Sequence, residues 1–273
     1  MTLAQLAWDL QEFSGGRFLM GLGTQVEAHV TRRFSMPWAK PASRMRELIL
    51  AVRAIWATWR DGDALEFHGE FYRHDLMTPF FTPTSEIIAA VGLPPILLAG
   101  VGPRMTEIAG EVCDGFICHG FTTERYLREV SIPALERGRS RAGKSLAGFE
   151  IVGPPFVVTG QTDADRRASD ARARQQLGFY ASTPAYRAVL ELHGWGALGV
   201  AANNEARKGR WSELGSLIDD EVLDAFAIVG PLDEIADRIQ HRYGDVITRF
   251  RFSAPDEDDI ARWAHVAGAL HDR

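Results

Sequence analysis

Residues 94–120 of the chain read PPILLAGVGPRMTEIAGEVCDGFICHG, and this stretch predicts a strand, a glycine-rich loop, a helix and a second strand. Residues 96–98, which follow a double proline, form a short apolar run typical of a strand buried on both faces. Glycine and proline at residues 100–103 end the extended pattern, and Asp114 ends the helix that follows. Two strands joined by one helix over so few residues predict a parallel βαβ crossover.

The glycine-rich loop of this stretch is a candidate anion site. Gly100, Val101 and Gly102 follow the carboxyl end of the first strand and open the helix. Backbone N–H groups in such a place can hold an anion, usually a phosphate. The alternative is that the glycines only make a tight turn, because GxG alone is a weak signal. Both interpretations stay open on the residues alone.

The bulk composition predicts a globular protein large enough for one α/β barrel-sized domain or two smaller ones. The chain has 273 residues, of which 46% are hydrophobic and 24% charged, with a net charge of −6. This charge gives no reason to expect nucleic acid or an anionic membrane as a partner. The longest uncharged run contains Gly92 and two prolines, so no membrane helix is predicted. Only two cysteines, Cys113 and Cys118, are present, which argues against a disulfide framework and favours the cytoplasm.

Helices alternate with short apolar strands along the rest of the chain, which predicts an α/β fold with a parallel sheet covered by helices. A small hairpin is predicted over residues 65–73, and residues 163–225 carry helical patterns only. The five principal strands are predicted near Phe18, Leu97, Ile117, residues 152–158 and Phe250. The first helix has one apolar face, formed by Leu3, Leu6, Ala7, Leu10 and Phe13.

A closed (β/α)₈ barrel has eight strands, so five strands and a helical start indicate an incomplete barrel of the TIM type. Five blocks of the sequence together resemble the luciferase-like (bacterial luciferase superfamily) oxidoreductases, and in particular the branch that uses coenzyme F420. The blocks are SGGRFLMGLGTQ, PASRMRELILAVRAIW, LEFHGEFY, PILLAGVGPRMTEIAGEVCDGFICHG, and IVGPLDEIADRI with RFRFSAP. The resemblance covers nearly the whole chain.

The resemblance implies one luciferase-like barrel domain over residues 1–273 that lacks the first three strands of the family. It implies that residues 163–225 are a helical insertion after the seventh strand of the family. The active site is then expected at the carboxyl ends of the strands, and a homodimer is expected as the assembly. A shortened barrel leaves open strand edges, so a non-catalytic partial barrel is an alternative.

The resemblance also implies a set of cofactor contacts. Gly100, Val101 and Gly102 are expected to offer backbone N–H groups to the cofactor's phosphate, which agrees with the anion-site interpretation. Thr24 is expected to contact the cofactor after the first strand. Cys118 ends a strand and is expected to point near the phosphate or the substrate, and a buried packing thiol is a better interpretation of it than a nucleophile. The expected cofactor is coenzyme F420, with FMN as the alternative.

Two histidines are candidate catalytic residues. His119 ends a strand and is a candidate acid/base group, or else a solvated loop histidine. His29 follows the first strand and could hold the cofactor ring or the substrate, or lie on an exposed loop. Tyr180, Tyr186 and Trp195 of the insertion could cover an apolar substrate, or belong to a core. No metal site is predicted.

These residues give three hypotheses for the function. The first is an oxidoreductase that moves a hydride between coenzyme F420 and a small organic substrate, in which the cofactor supplies the chemistry and the protein positions it. The second is an FMN-dependent luciferase-like monooxygenase. The third is a non-catalytic partial barrel that binds a phosphate-bearing ligand or a partner chain.

Overall fold

The computed structural model describes residues 1–153, 156–252 and 257–271, and the chain forms two compact units. The first unit comprises Met1–Gly100, Arg104–Ile117 and Ala134–Phe149, and the second comprises Val101–Pro103, Cys118–Pro133 and Glu150–Arg273. The strands are β1 (Met20–Leu22), β2 (Phe67–His68), β3 (Arg73–His74), β4 (Ile96–Gly100), β5 (Gly115–Cys118), β6 (Glu150–Gly153), β7 (Phe156–Val158), β8 (Ala227–Val229) and β9 (Arg249–Phe250).

The helices, in chain order, are α1 (Thr2–Phe13), α2 (Glu27–Arg32), α3 (Pro41–Asp61), α4 (Ser85–Val91), α5 (Pro103–Val112), α6 (Glu124–Tyr126), α7 (Ile132–Arg141), α8 (Asp163–Ala181), α9 (Arg187–Leu192), α10 (Gly196–Arg207), α11 (Asp220–Phe226), α12 (Ile235–Tyr243) and α13 (Glu257–His271). A π-helix, Leu127–Ser131, joins α6 to α7. None of the helices in the described ranges combines the length and hydropathy that a membrane span requires.

The predicted βαβ crossover is confirmed as β4, α5 and β5. In the first unit β1, β4 and β5 lie in that order, and β1 pairs with β4 in parallel, with Met20 opposite Ile96. Ile96, Leu97 and Leu98 are buried, as expected for a strand covered on both faces. The central parallel sheet comprises five strands in the described residues (β1, β4, β5, β6 and β9), so the prediction of an incomplete barrel-type sheet is confirmed.

Asp114 closes the crossover at the end of α5. Its backbone N–H donates to the Ile96 carbonyl and its carboxylate accepts the Ile96 N–H, each at 2.8 Å. Arg53 of α3 donates to the same carboxylate at 2.8 Å and to the Val112 carbonyl at 2.8 Å. Three elements therefore meet at one side chain, which fixes where β4 begins relative to the end of α5.

The predicted apolar face of α1 is wrong for three of its five residues. The helix buries Ala7, as predicted, together with Ala4, Trp8 and Gln11. Leu6, Leu10 and Phe13 are exposed by 54%, 40% and 84%. Two contacts decide this orientation: the Trp56 indole N–H donates to the Ala4 carbonyl at 3.1 Å, and the Trp8 ring lies edge-on to that of Trp59.

The hairpin β2–β3 is confirmed, and a carboxylate of α3 holds its turn. Glu47 accepts the backbone N–H groups of Glu70, Phe71 and Tyr72 at 3.0, 2.6 and 2.7 Å. These hydrogen bonds outweigh the opposing effect of burial and lower the pKa of Glu47.

The second unit contains two parallel strand pairs, β6 with β9 and β7 with β8. The strand predicted over residues 152–158 is therefore two strands in different sheets; Pro154 and Pro155, between them, lie outside the described residues. Strand β8 is missed by the sequence analysis. No strand lies between Asp163 and Phe226, and buried side chains of α8, α9, α10 and α11 share one core with Phe121 and Tyr126. The single domain over residues 1–273 stays a prediction.

Helices α5 and α7 pack so closely that glycine is required on both. A Cβ added at Gly110 would overlap the Leu135 carbonyl oxygen, and one added at Gly138 would overlap that of Glu107. The same crossing buries the Glu107 side chain, which pairs with Arg137 and Arg141 of α7.

We expect Gly138→Ala to lower the free energy of unfolding by about 1–3 kcal/mol, because the two backbones must separate to admit the methyl group. Urea unfolding followed by circular dichroism measures this loss. The control is Gly268→Ala on α13, where a Cβ meets nothing within 4 Å and a gain of about 0.5–1 kcal/mol is expected. Equal stability of the two variants would contradict the close crossing.

Candidate active site

His119 directly follows β5, and its ring orientation is fixed by a local hydrogen bond. The backbone N–H of Phe121 donates to Nδ1 of His119 at 3.0 Å. Nδ1 is therefore an acceptor, and in the neutral ring the proton resides on Nε2.

Two tyrosines of the helical insertion enclose the His119 ring. The Tyr186 ring lies 4.5 Å from it at a 38° tilt, and the Tyr180 ring lies 4.8 Å from it edge-on. Burial lowers the pKa of His119 from 6.5 to about 4. At neutral pH the ring is thus an uncharged hydrogen-bond donor through Nε2.

Further aromatic rings extend this wall. Phe121 stacks on Phe226 with the ring centroids 4.5 Å apart, and it lies 6.0 Å from Tyr180. Phe156 of β7 lies edge-on to Tyr180 at 6.4 Å. We name His119, Phe121, Phe156, Tyr180 and Tyr186 the aromatic cluster. The structure thus brings three of the predicted site residues together, namely His119, Tyr180 and Tyr186.

The glycine-rich loop is anchored from the same unit. The Tyr126 hydroxyl donates to the Val101 carbonyl at 3.2 Å, and the Val101 side chain packs against the core that contains Tyr126. The chain has no cis peptide among its described residues, so the N–H of Gly102 points to the opposite side from this carbonyl. A Cβ at Gly102 would meet nothing within 4 Å, whereas one at Gly100 would touch the Met105 side chain at 3.1 Å.

A second histidine, His193, connects the insertion to the segment after His119. Its Nε2 lies 2.8 Å from the Thr123 hydroxyl, and that hydroxyl oxygen also accepts the Tyr126 N–H at 3.1 Å. The Thr123 hydroxyl and Nε2 of His193 share one hydrogen bond, in which the tautomer of His193 determines the donor. The Trp195 ring stacks on His193 at 4.3 Å and 10°. Sequence reasoning missed this pair, because threonine before a helix indicates only an N-cap.

The other predicted site residues have different surroundings. Thr24 and His29 belong to the first unit, where His29 is exposed on α2. Trp195 stacks on His193. Cys118 and Cys113 are free and buried, and burial raises the pKa of Cys118 to about 12, so its thiol stays protonated at neutral pH. The cofactor and substrate roles of these residues stay predictions.

The first unit has a polar cavity of about 390 Å³, and none of the residues that line it belongs to the aromatic cluster. It is lined by Ser43, Arg46, Glu47, Glu70, Phe71, Arg104, Glu111 and Arg141. Its charges are already paired, as Arg46 with Glu111 at 2.5 Å and Arg104 with Glu107 at 3.3 Å. The aromatic cluster is the stronger candidate for the chemistry, because burial there lowers the pKa of His119 and keeps its ring uncharged at neutral pH.

Comparison with known protein families identifies the fold. The family model described as luciferase-like monooxygenase matches residues 1–249. The chain belongs to this family. The luciferase-like resemblance predicted from the five sequence blocks is therefore confirmed.

Related members of the luciferase-like family include oxidoreductases. An uncharacterized Mycobacterium tuberculosis protein, Rv1360, is 49% identical over 249 residues, which are 91% of this chain and 72% of the relative. A 5,10-methylenetetrahydromethanopterin reductase of Archaeoglobus fulgidus is 30% identical over 265 residues, which are 95% of this chain and 74% of the relative. The solved coenzyme F420-dependent tetrahydromethanopterin reductase of Methanopyrus kandleri has the same fold, with a TM-score of 0.72 at 20% identity over 97% of this chain and 76% of that one.

We expect His119 of this luciferase-like chain to titrate near pH 4, as measured by NMR of its ring carbons and nitrogens. Because its pKa is lower in the folded state than in the unfolded chain, the neutral ring's contribution to stability is complete above about pH 6.5. This contribution is lost as the pH falls through about 4. Tyr186→Ala exposes the ring and should raise the pKa toward 6.5, whereas Phe80→Ala, at a residue 89% exposed, should leave it unchanged. An ordinary pKa in the parent chain would contradict the buried setting.

We expect Thr123→Val to lower the free energy of unfolding by about 1–2 kcal/mol, because it removes both the N-cap of α6 and the hydrogen-bond partner of His193. Burial and the charge of Arg125 lower the pKa of His193 in the parent chain. Loss of the Thr123 hydroxyl should shift this pKa, upward if Nε2 of the neutral ring accepts the hydrogen bond and downward if Nε2 donates it. Tryptophan fluorescence against pH, corrected with Trp195→Phe, measures the change. Thr123→Ser is the matched control, and a valine variant that behaves like serine would refute the bond.

Proposed function

We propose that this chain is an oxidoreductase that transfers a hydride between coenzyme F420 and a small organic substrate. The observation that carries the proposal is that Val101–Pro103 of the glycine-rich loop and the neutral, desolvated His119 belong to one compact unit. The reductase relatives and the coenzyme F420-dependent structure of the same fold support this class of reaction. Hydride transfer is the chemistry that the cofactor supplies when it is bound.

The loop residues fit a phosphate-bearing cofactor. Tyr126 holds the Val101 carbonyl on one side, which directs the Gly102 N–H to the other side, and α5 begins at the next residue. The space around Gly102 is open to at least 4 Å from a built Cβ, so a phosphate could approach the backbone. Gly100, Val101 and Gly102 are the residues whose N–H groups the sequence predicts to hold the phosphate, and we propose that role for them.

His119 would orient the substrate. Because Nδ1 accepts the Phe121 N–H, the ring offers its Nε2 proton, and a carbonyl or hydroxyl oxygen of the substrate is the matching acceptor. A pKa of about 4 keeps this donor uncharged at neutral pH, so it polarises an oxygen without carrying a charge itself. Tyr180 and Tyr186 would exclude water from that hydrogen bond.

A luciferase-like monooxygenase that uses FMN is the second candidate, and the description of the matching family model favours it. FMN also presents a phosphate, so the same loop would bind it. The two candidates differ in which flavin binds and in whether turnover consumes oxygen. A non-catalytic partial barrel is the third possibility, and it predicts that a folded chain binds neither cofactor.

The test is a fluorescence titration of the purified chain with coenzyme F420 and, separately, with FMN. We expect saturable binding of F420 at micromolar concentration. Gly102→Asp should weaken binding at least tenfold, about 1.4 kcal/mol, because it sets a carboxylate against the phosphate. The aspartate side chain has room at this position, so the variant should stay folded.

The matched control is Gly268→Asp, which makes the same substitution at another glycine with open space around its Cβ. It should leave F420 binding unchanged. Binding of FMN alone would favour the monooxygenase. A folded chain that binds neither cofactor would overturn both enzyme proposals and favour the non-catalytic partial barrel.

A further inference from the structure

Arg187 is the exception among the partly buried arginines of the described residues. The other partly buried arginines each make at least one hydrogen bond to a carboxylate, a hydroxyl or a carbonyl. They are Arg44, Arg46, Arg53, Arg128, Arg139, Arg174 and Arg242. Arg187 makes none, and its Nε is buried without a partner. A buried donor on a charged group normally has a partner, because leaving it unpaired costs the full penalty of desolvation.

Arg174 of the neighbouring helix α8 shows what a satisfied arginine of the insertion looks like. Its guanidinium donates to the Asp170 carboxylate at 2.7 Å, to the Ile218 carbonyl at 2.6 Å and to Asp220 at 2.5 Å. Both arginines lie in the helical insertion and both are partly exposed. The contrast between them therefore lies in their partners and not in their depth.

The expected intrahelical partner of Arg187 is directed elsewhere. Glu191 stands four residues later on α9, which is the spacing of a helical ion pair. The structure forms no such pair within the described residues, and the Glu191 stem lies toward Gly196, 3.9 Å from a Cβ built there. The Arg187 Nε instead lies 3.9 Å from the position of a Cβ built at Gly199 of α10. The Ala181 carbonyl oxygen lies 3.8 Å from that same Cβ position.

The Arg187 guanidinium favours an oxyanion as its ligand. A guanidinium presents its N–H groups as a planar fork that matches the oxygens of a carboxylate or a phosphate. The buried Nε lies in a poorly hydrated setting, which strengthens a charge-assisted hydrogen bond. Arg187 as a whole is partly exposed, whereas its Nε is buried.

We propose that Arg187 is an anion-binding residue of the helical insertion and that its ligand carries a carboxylate or a phosphate. This proposal does not depend on which cofactor the glycine-rich loop binds. Arg187 directly follows Tyr186 of the aromatic cluster in the chain, so a bound anion lies in the segment that encloses His119.

The test observes the arginine Nε–H resonances of the full-length, ¹⁵N-labelled chain by NMR. Arg187→Lys identifies the Arg187 resonance by its loss. Sodium phosphate and sodium acetate are then added in separate titrations, with sodium chloride at equal ionic strength as the reference. The Arg187 resonance should shift and saturate with at least one of the two anions, and the Arg174 resonance should stay in place.

The two arms distinguish the sources of the anion. Saturation with both anions supports a carboxylate or phosphate ligand, and saturation with one alone supports that class. A thermal-melting series provides a second measurement: the same anion should raise the Tm of the parent chain and of Arg172→Gln, an exposed arginine of α8, but not that of Arg187→Gln. Equal rises in all three proteins, or a shift no larger than with chloride, would overturn the proposal and leave water as the partner of Nε.

Discussion

The reciprocal hydrogen bonds between Asp114 and Ile96 are the constraint from which the site follows. They tie the end of α5 to the beginning of β4, while Arg53 adds α3 to the same carboxylate. With these ends fixed, the chain must connect the carboxyl end of β4 to the first turn of α5 within a few residues. The glycine-rich loop makes that connection, and a Cβ built at Gly102 meets nothing within 4 Å.

His119 lies at the end of the strand that begins next to Asp114. Strand β5 starts directly after Asp114, and its four residues carry the chain to His119. The backbone of the strand places the imidazole, whereas Tyr180 and Tyr186 of the insertion supply the desolvation that keeps it neutral. Position and protonation state therefore come from different parts of the chain. The candidate chemistry requires both of them.

The sequence patterns correctly predicted the elements that interactions between residues close in the chain determine. Proline, glycine and the apolar run at residues 96–98 define β4, the loop and α5, and the structure agrees. Two predictions failed because contacts between residues far apart in the chain determine the buried face of α1 and the formation of β8. Helix α1 buries Gln11, whose amide bonds the Val91 carbonyl and the Phe18 N–H, and hydropathy counts such a residue as outside. Strand β8 has only three residues directly after α11, and its existence depends on pairing with β7. The Thr123–His193 bond spans 70 residues and has no sequence signature.

The division of labour between strand and insertion has an evolutionary consequence. Residues 163–226 contribute no strand, so substitutions there can alter the polarity and shape around His119 while the sheet that carries the histidine is unchanged. Divergence of this one segment could retune the reactivity of the imidazole and the choice of substrate together. The α5–α7 crossing, where Gly110 and Gly138 admit no side chain, has no such freedom. The helical insertion can therefore accept substitutions that the α5–α7 crossing cannot.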